Sequence, residues 1–430
     1  MTQSSFVRAT TPLAAAILVA FASSCSLVPH PGAASTKDKA FIAYWPPPAG
    51  SGRLRLAVKD LIDIKGKVTS AGSEYLAQNG PPAKEDAKCL AGARARNVDI
   101  VGKTNLTEFA VSVSGMNSYF GTPRNRLDGK HRFIPGGSSS GSAVAVADGR
   151  ADVSFGTDTA GSIRVPAASC GIFGLKTTYG LISLKGVFPI SPGHLDTVGP
   201  MAKDVPHLVE GMDLLQPGFE SRYRKAIAAK PSARQIKIGR LYLDGTDPAI
   251  DKAVDDALAA KHFKVVRLSE NFKKQWEQAQ KDAITVALGD TWRNDQRYQG
   301  KKGVTAKTLA TILAGSLQYP DAYNEALSRK AAWQRSLRQV LAKVDFIALP
   351  TLQSAPPKVP LFGTSAIFEL LNIGRQNTQA VNLAGNPAVA IPIPLPQKKG
   401  VVPVTSLQLV GKKFGEAELL NASRLIASKK

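Results

Sequence analysis

The sequence predicts an α/β protein: a single large domain whose twisted β-sheet, mixed or parallel, is covered by helices on both faces. Three observations carry that prediction. Short apolar runs alternate along the chain with helical segments, the pattern of strands buried beneath helices. Hydrophobic residues make up 43% and charged residues 20%, a globular balance that excludes wholesale disorder. Only 3 Cys occur in 430 residues, so a buried core rather than disulfides must hold the fold.

The elements follow in order. Pro12 to Ala22 is an uninterrupted apolar run, too short for a stable transmembrane helix but suited to a signal h-region, and Ala20-Phe21-Ala22 supplies a small-residue cleavage pattern. Residues 1–22 therefore read as a signal peptide, with export to a periplasmic or extracellular location. A lipoprotein signal, with Cys25 as the acylated N-terminus, is the rival reading. Residues 23–52 are rich in Pro, Ser, Ala and Gly and read as a linker. The domain proper is assigned to 53–430. Strands are predicted at 53–58, 98–102, 153–156, 237–243, 264–269, 345–351, 387–395 and 405–411. Helices are predicted at 86–95, after the Gly/Ser run 136–142, across the charged stretch 272–343, and at the C-terminus. The segment 212–343 is the best candidate for a semi-independent helical insertion. No other stretch is apolar over ~20 residues, so the processed chain is expected to be soluble.

Charge is the unusual figure: 55 Lys+Arg against 33 Asp+Glu, a net of +22. Such an excess raises nucleic acid, anionic surfaces or acidic substrates as partners. For an exported chain, contact with anionic envelope surfaces and attraction of acidic substrates fit better, and no nucleic acid partner is expected.

Absent motifs narrow the chemistry. The chain has no Cys-x-x-Cys, His-Glu-x-x-His, Gly-x-x-x-x-Gly-Lys-[Ser/Thr] or Ser-x-x-Lys, so zinc, phosphate-loop and penicillin-binding signatures are missing. No metal or cofactor is expected. Gly137-Ser-Ser-Ser-Gly141 fits the nucleophile elbow Gly-x-Ser-x-Gly, but no late histidine ends a strand to serve it. The run Phe155-Gly-Thr-Asp-Thr-Ala-Gly-Ser-Ile-Arg-Val-Pro-Ala167 is more informative. A strand ends there, small residues turn the backbone, and Ser162 sits where a helix begins. Such a turn can aim consecutive N–H groups at one spot, next to a serine nucleophile that needs a base. Lys59 ends the strand 53–58; taken alone, it reads as a solvated strand end.

Ordered blocks change that balance. The blocks Ala57–Gly66, Gly102–Ala110, Gly136–Ala145, Gly156–Ala167 and Gly171–Gly180, then Leu349-Pro-Thr and Asn386–Pro392, follow one another along the chain. In this order the sequence resembles the amidase signature family from about Arg53 to Ile426. The resemblance implies a Ser–cis-Ser–Lys triad: Ser162 as nucleophile, Ser138 as the bridging serine of a cis peptide, and Lys59 as base. It also implies oxyanion N–H donors at Thr159, Ala160, Gly161 and Ser162. Lys59 must then work as a neutral amine, a drop from ~10.4 to ~7 that costs about 4 kcal/mol and that burial can supply. Ala160 and Ser140 stand where glycine is usual in the family, as in allophanate hydrolases and small indole-3-acetamide hydrolases. At 160 the methyl is tolerated only if φ is negative.

The implied activity is an exported amidase that hydrolyses a small aryl or alkyl carboxamide to acid and ammonia or amine through an acyl-enzyme. The alternatives are an enzyme like the A subunit of an amidotransferase or like an allophanate hydrolase, or a catalytically degenerate basic binding protein. Asp158 and Arg164 are expected to form a supporting ion pair. Met116 and Asn117 are candidates to border the substrate, and Cys170 is expected to be a small buried residue.

Overall fold

The computed structural model describes residues 35–127, 129–360, 366–395 and 404–428. The expected leader 1–22 and Cys25 lie outside the described residues.

The apolar runs become strands of one sheet because most are covered on both sides. They are β1 Phe41–Tyr44, β2 Arg55–Lys59, β3 Asp99–Thr104, β4 Val153–Asp158, β5 Phe173–Lys176, β6 Thr197–Ala202, β7 Lys237–Arg240, β8 Lys264–Arg267, β9 Phe346–Pro350, β10 Ala388–Pro394 and β11 Val404–Val410. The 11 strands lie in the order β1-β3-β2-β4-β6-β5-β10-β11-β9-β7-β8. β2 runs parallel to both β3 and β4, and β7 runs parallel to β8 and β9. The remaining pairings are antiparallel, so the sheet is mixed rather than parallel.

Successive side chains on a strand point to opposite faces, and β10 shows what covers each. Val389 and Ile391 enter a core that includes Val205, Leu208 and Met212 of the helix Val205–Leu215. Ala390 enters another core, with Ala143 of the helix Ser140–Ala147 and Ala167 of the helix Arg164–Cys170. These last two helices are built of small residues and are buried throughout most of their length, which lets them sit flat against the sheet centre. At the far edge, β8 is exposed at every position, and Lys264 and Arg267 blunt that edge against pairing with another chain.

Two expectations about organisation change. Part of the expected linker 23–52 is structured: Phe41–Tyr44 forms β1, antiparallel to β3, with Phe41 wholly buried. The segment before it is tied down by Asp38, which accepts from Thr36 Oγ1 and Ala40 N and pairs with Arg150. The Pro-rich run after Tyr44 hid a short strand in a linker-like composition. Likewise 212–343 is not a separate helical insertion, because β7 and β8 belong to the common sheet. The helices Glu270–Asp295, Ala306–Gln318 and Asp321–Leu341 form its helical part.

Candidate active site

β2 and β4 are parallel neighbours, with Val58 opposite Phe155, so their carboxyl ends lie side by side. Ligand sites in sheets of this kind form outside such ends. Lys59 is the last residue of β2, and β4 ends at Asp158, from which the turn 159–163 leads into the helix Arg164–Cys170.

The Lys59 side chain is completely buried. Its Nζ lies 2.7 Å from Ser138 Oγ and 2.8 Å from Thr157 Oγ1. Burial pushes the amine down to about 7, against the opposing pull of the Asp158 and Asp196 carboxylates. Neutral lysine offers a lone pair, so this amine can take a proton from a hydroxyl.

Ser138 is carried by a loop that the surrounding chain grips through its backbone. The Gly137–Ser138 peptide is cis. Gly136 N donates to Ser114 O at 3.1 Å, Gly137 N to Val113 O at 2.8 Å, and Thr107 N to Ser138 O at 3.3 Å. Gly136 has φ of 72°, and a Cβ there would lie 2.6 Å from Ser169 Oγ, so only glycine passes this point. The next residue reaches the second serine loop: Ser139 N donates to Ser162 O at 3.2 Å. Lys59, Ser138 and the Ser162 turn are thus brought to one place, and Ser162 itself is 6% exposed.

Asp158 organises the turn. It accepts from Gly161 N at 2.8 Å, from Ile163 N at 3.2 Å and from Asn382 Nδ2 at 2.8 Å. Arg164 pairs with it at 2.9 Å, with neither side chain exposed. Burial drives this carboxyl upward, but the Arg164 guanidinium and the hydrogen bonds outweigh it and hold the group at about 2. The other guanidinium contacts reach Thr378 O, Gln408 Oε1 and Asn382 Oδ1, so two distant segments lock one turn.

The turn departs from expectation at Gly161. Its N–H is engaged by Asp158, which leaves the N–H groups of Thr159, Ala160 and Ser162 without a protein acceptor among the described residues. Ala160 lies outside the left-handed region, so its methyl is unstrained. Thr159 is anchored through Oγ1 to Asp196 Oδ1 at 2.6 Å, and Asp196 accepts also from Ile190 N and Ser191 N. Burial pushes the Asp196 carboxyl up.

Asn117 serves the backbone rather than a ligand. Nδ2 donates to Gly72 O and Leu106 O, and Oδ1 accepts from Tyr119 N and Phe120 N, which uses its full capacity. Met116 is half-buried beside it. Cys170 and Cys89 are buried and free. Among the described residues no three His, Cys, Asp or Glu side chains gather as metal ligands. Sequence reasoning missed Thr157, Asp196, Thr378, Asn382 and Gln408. Thr157 lies within the block from Gly156 to Arg164 and could have been found there; the others carry no signal near the serines in sequence.

Fold and site together define the class of α/β proteins that join a buried lysine and two serine loops at the carboxyl edge of a mixed sheet. The family model described as Amidase matches residues 54–420. Among curated relatives, the A subunit of glutamyl-tRNA(Gln) amidotransferase from Halobacterium salinarum is 31% identical over 409 residues, covering 86% of this chain and 94% of that protein. Among solved structures, the same amidotransferase's A subunit from Thermotoga maritima superimposes with a TM-score of 0.72 at 25% identity, over 90% of this chain and 87% of that one. A chain of a vestigial complex, described as revealing the origins of an s-triazine catabolic enzyme, gives 0.75 at 27%, over 87% and 83%. The chain belongs to the amidase signature family.

Proposed function

We propose that this protein cleaves a carboxamide C–N bond through an acyl-enzyme on Ser162. The observation that carries the reading is the wholly buried Lys59 amine, 2.7 Å from Ser138 Oγ, in a loop bonded to the Ser162 turn. Neutral Lys59 takes the Ser138 proton while Ser138 takes that of Ser162, and Ser162 Oγ attacks the amide carbonyl. The N–H groups of Thr159, Ala160 and Ser162 receive the developing oxyanion. The proton then returns through Ser138 to the leaving nitrogen, the C–N bond breaks, and ammonia or amine departs. Water enters by the same relay, breaks the acyl ester and restores Ser162. Small aryl or alkyl carboxamides are the substrates of this reading. A burst of product with an activated ester, and fluorophosphonate labelling lost in Ser162→Ala, test it; undiminished turnover in that variant would sink it. Absent labelling combined with tight, salt-sensitive polyanion binding would instead favour a binding protein.

A second reading is favoured by the 31% identity to the A subunit of an amidotransferase: the same chemistry would release ammonia for use by a partner protein. Ammonia release by the purified chain alone supports the free-standing hydrolase, while release that requires a co-purifying protein supports the amidotransferase. Export rests on residues 1–22 alone, and N-terminal sequencing of the secreted or envelope fraction tests it. An unprocessed protein in the cytosol speaks against export.

A further inference from the structure

A narrow cleft, open to solvent at its mouth, lies beside the candidate site. Its walls come from the segments that build that site. Gly136 adjoins the cis Gly137–Ser138 peptide. Val165 packs within 3.0 Å of where a Gly161 Cβ would stand. Gln376 lies two residues before Thr378, whose Oγ1 donates to Ala160 O at 2.6 Å. The cleft therefore lies next to the segments that carry the Ser138 loop and the Ser162 turn, although residues 159–162 do not themselves line it.

The lining is apolar at Val113, Ile134, Val165 and Leu352, and among its residues Arg375 alone is charged. The Arg375 side chain has no hydrogen-bond or ion-pair partner among the described residues. The acid on the preceding helix is already engaged: Glu369 accepts from Val113 N, Ser114 N and Ser114 Oγ and pairs with Lys307. Beside Arg375, Gln376 is 3% exposed and its Oε1 has no partner among the described residues. Buried polar atoms are normally satisfied, so an orphan in a cleft marks a place where a ligand or water completes the bonding. An apolar trough with a free guanidinium and a buried amide suits a short chain that ends in a carboxylate, because guanidinium binds carboxylate through two parallel bonds.

We infer that this cleft is an acyl-side subsite and that Arg375 selects carboxamides whose acyl chain carries a carboxylate, as in the monoamide of a short dicarboxylic acid. The inference rests on the acyl-enzyme reading. Among the described residues no carboxylate lines the cleft to balance an ammonium group, so glutaramate is favoured over glutamine as well as over neutral pentanamide.

The test compares kcat/KM for glutaramate, glutamine and pentanamide in the wild type, Arg375→Ala and Arg375→Lys. Glutaramate is expected to lead by about tenfold or more, the size of one charge-assisted contact. In Arg375→Ala the glutaramate-to-pentanamide ratio falls toward one, mainly through KM, and Arg375→Lys restores part of it. A wild-type ratio near one, or a ratio that survives Arg375→Ala, overturns the inference. Calorimetric titration of glutaramate into Ser162→Ala reads the subsite without turnover. Binding weakened about tenfold by adding Arg375→Ala supports it, and equal binding overturns it. A wild-type protein that fluorophosphonate does not label, with this binding retained, would overturn the acyl-enzyme reading and leave the carboxylate site standing.

Discussion

Lys59 Nζ lies 2.7 Å from Ser138 Oγ, and neither residue is exposed. An ammonium in that position would be desolvated while facing only hydroxyls, so burial favours the neutral amine and holds the group at about 7.

The first prediction concerns pH. The neutral amine is the working form, so kcat/KM is expected to rise as pH climbs through about 7 and then level off. Lys59→Ala should lower kcat/KM by about 10²–10⁴, measured with an activated ester or amide. A flat profile between pH 6 and 8 in an active enzyme would remove Lys59 as the base.

Arg164 and Asp158 make the second. Both are fully buried and paired at 2.9 Å, so Arg164→Met leaves an uncompensated carboxylate in the interior. Loss of about 3–5 kcal/mol of stability is expected, read by urea unfolding at pH 7. A loss below about 1 kcal/mol would mean that the hydrogen bonds from Gly161, Ile163 and Asn382 suffice alone.

Gly161 is the third. Its φ is 135°, and a Cβ there would stand 2.3 Å from Thr378 Oγ1. Gly161→Ala must displace the turn that carries Ser162, with turnover falling by on the order of 10² or more. Adding Thr378→Ala relieves the contact but not the backbone, so only partial recovery is expected. Full activity in Gly161→Ala would refute this account of the turn.

Asp295 supplies the fourth. It is wholly buried and neither carboxylate oxygen has a partner among the described residues. Burial, opposed by Arg297 and reinforced by Asp196, pushes it up to about 7. The unfolded chain releases this proton near 4, so between about 4 and 7 the folded state holds more protons and stability falls as pH rises. Above that window the penalty persists, up to about 4 kcal/mol before relaxation. Asp295→Asn removes the ionisation and should stabilise the protein by about 1–3 kcal/mol at pH 8, with little change at pH 4. A variant less stable at pH 8 would show that the carboxylate is satisfied in solution.

Much of the sheet was legible because strands covered on both faces appear as plain apolar runs, as at 345–351 and 387–395. β1 was not, since four residues beside a proline run leave too little pattern to read. At the site, the blocks around Lys59, Ser138 and Ser162 stood out because glycines and small residues cluster where backbone must pass closely, as Gly136 does against Ser169. Asp196 and Gln408 stood out nowhere, because one carboxylate or amide in a strand or turn has no local signature.

The order of residues along the chain already set the α/β alternation, the family and the positions where a lysine and two serines could meet. Packing settled the rest. Lys59 reads as a solvated strand end until β4, the 136–139 loop and Thr157 enclose it, and Gly161 reads as an oxyanion donor until Asp158 takes its N–H. Asn117 reads as a substrate contact until its amide is seen holding four backbone groups. In each case the deciding partner lies in space rather than in the adjoining sequence, and proton affinity and hydrogen-bond capacity depend on that local surround.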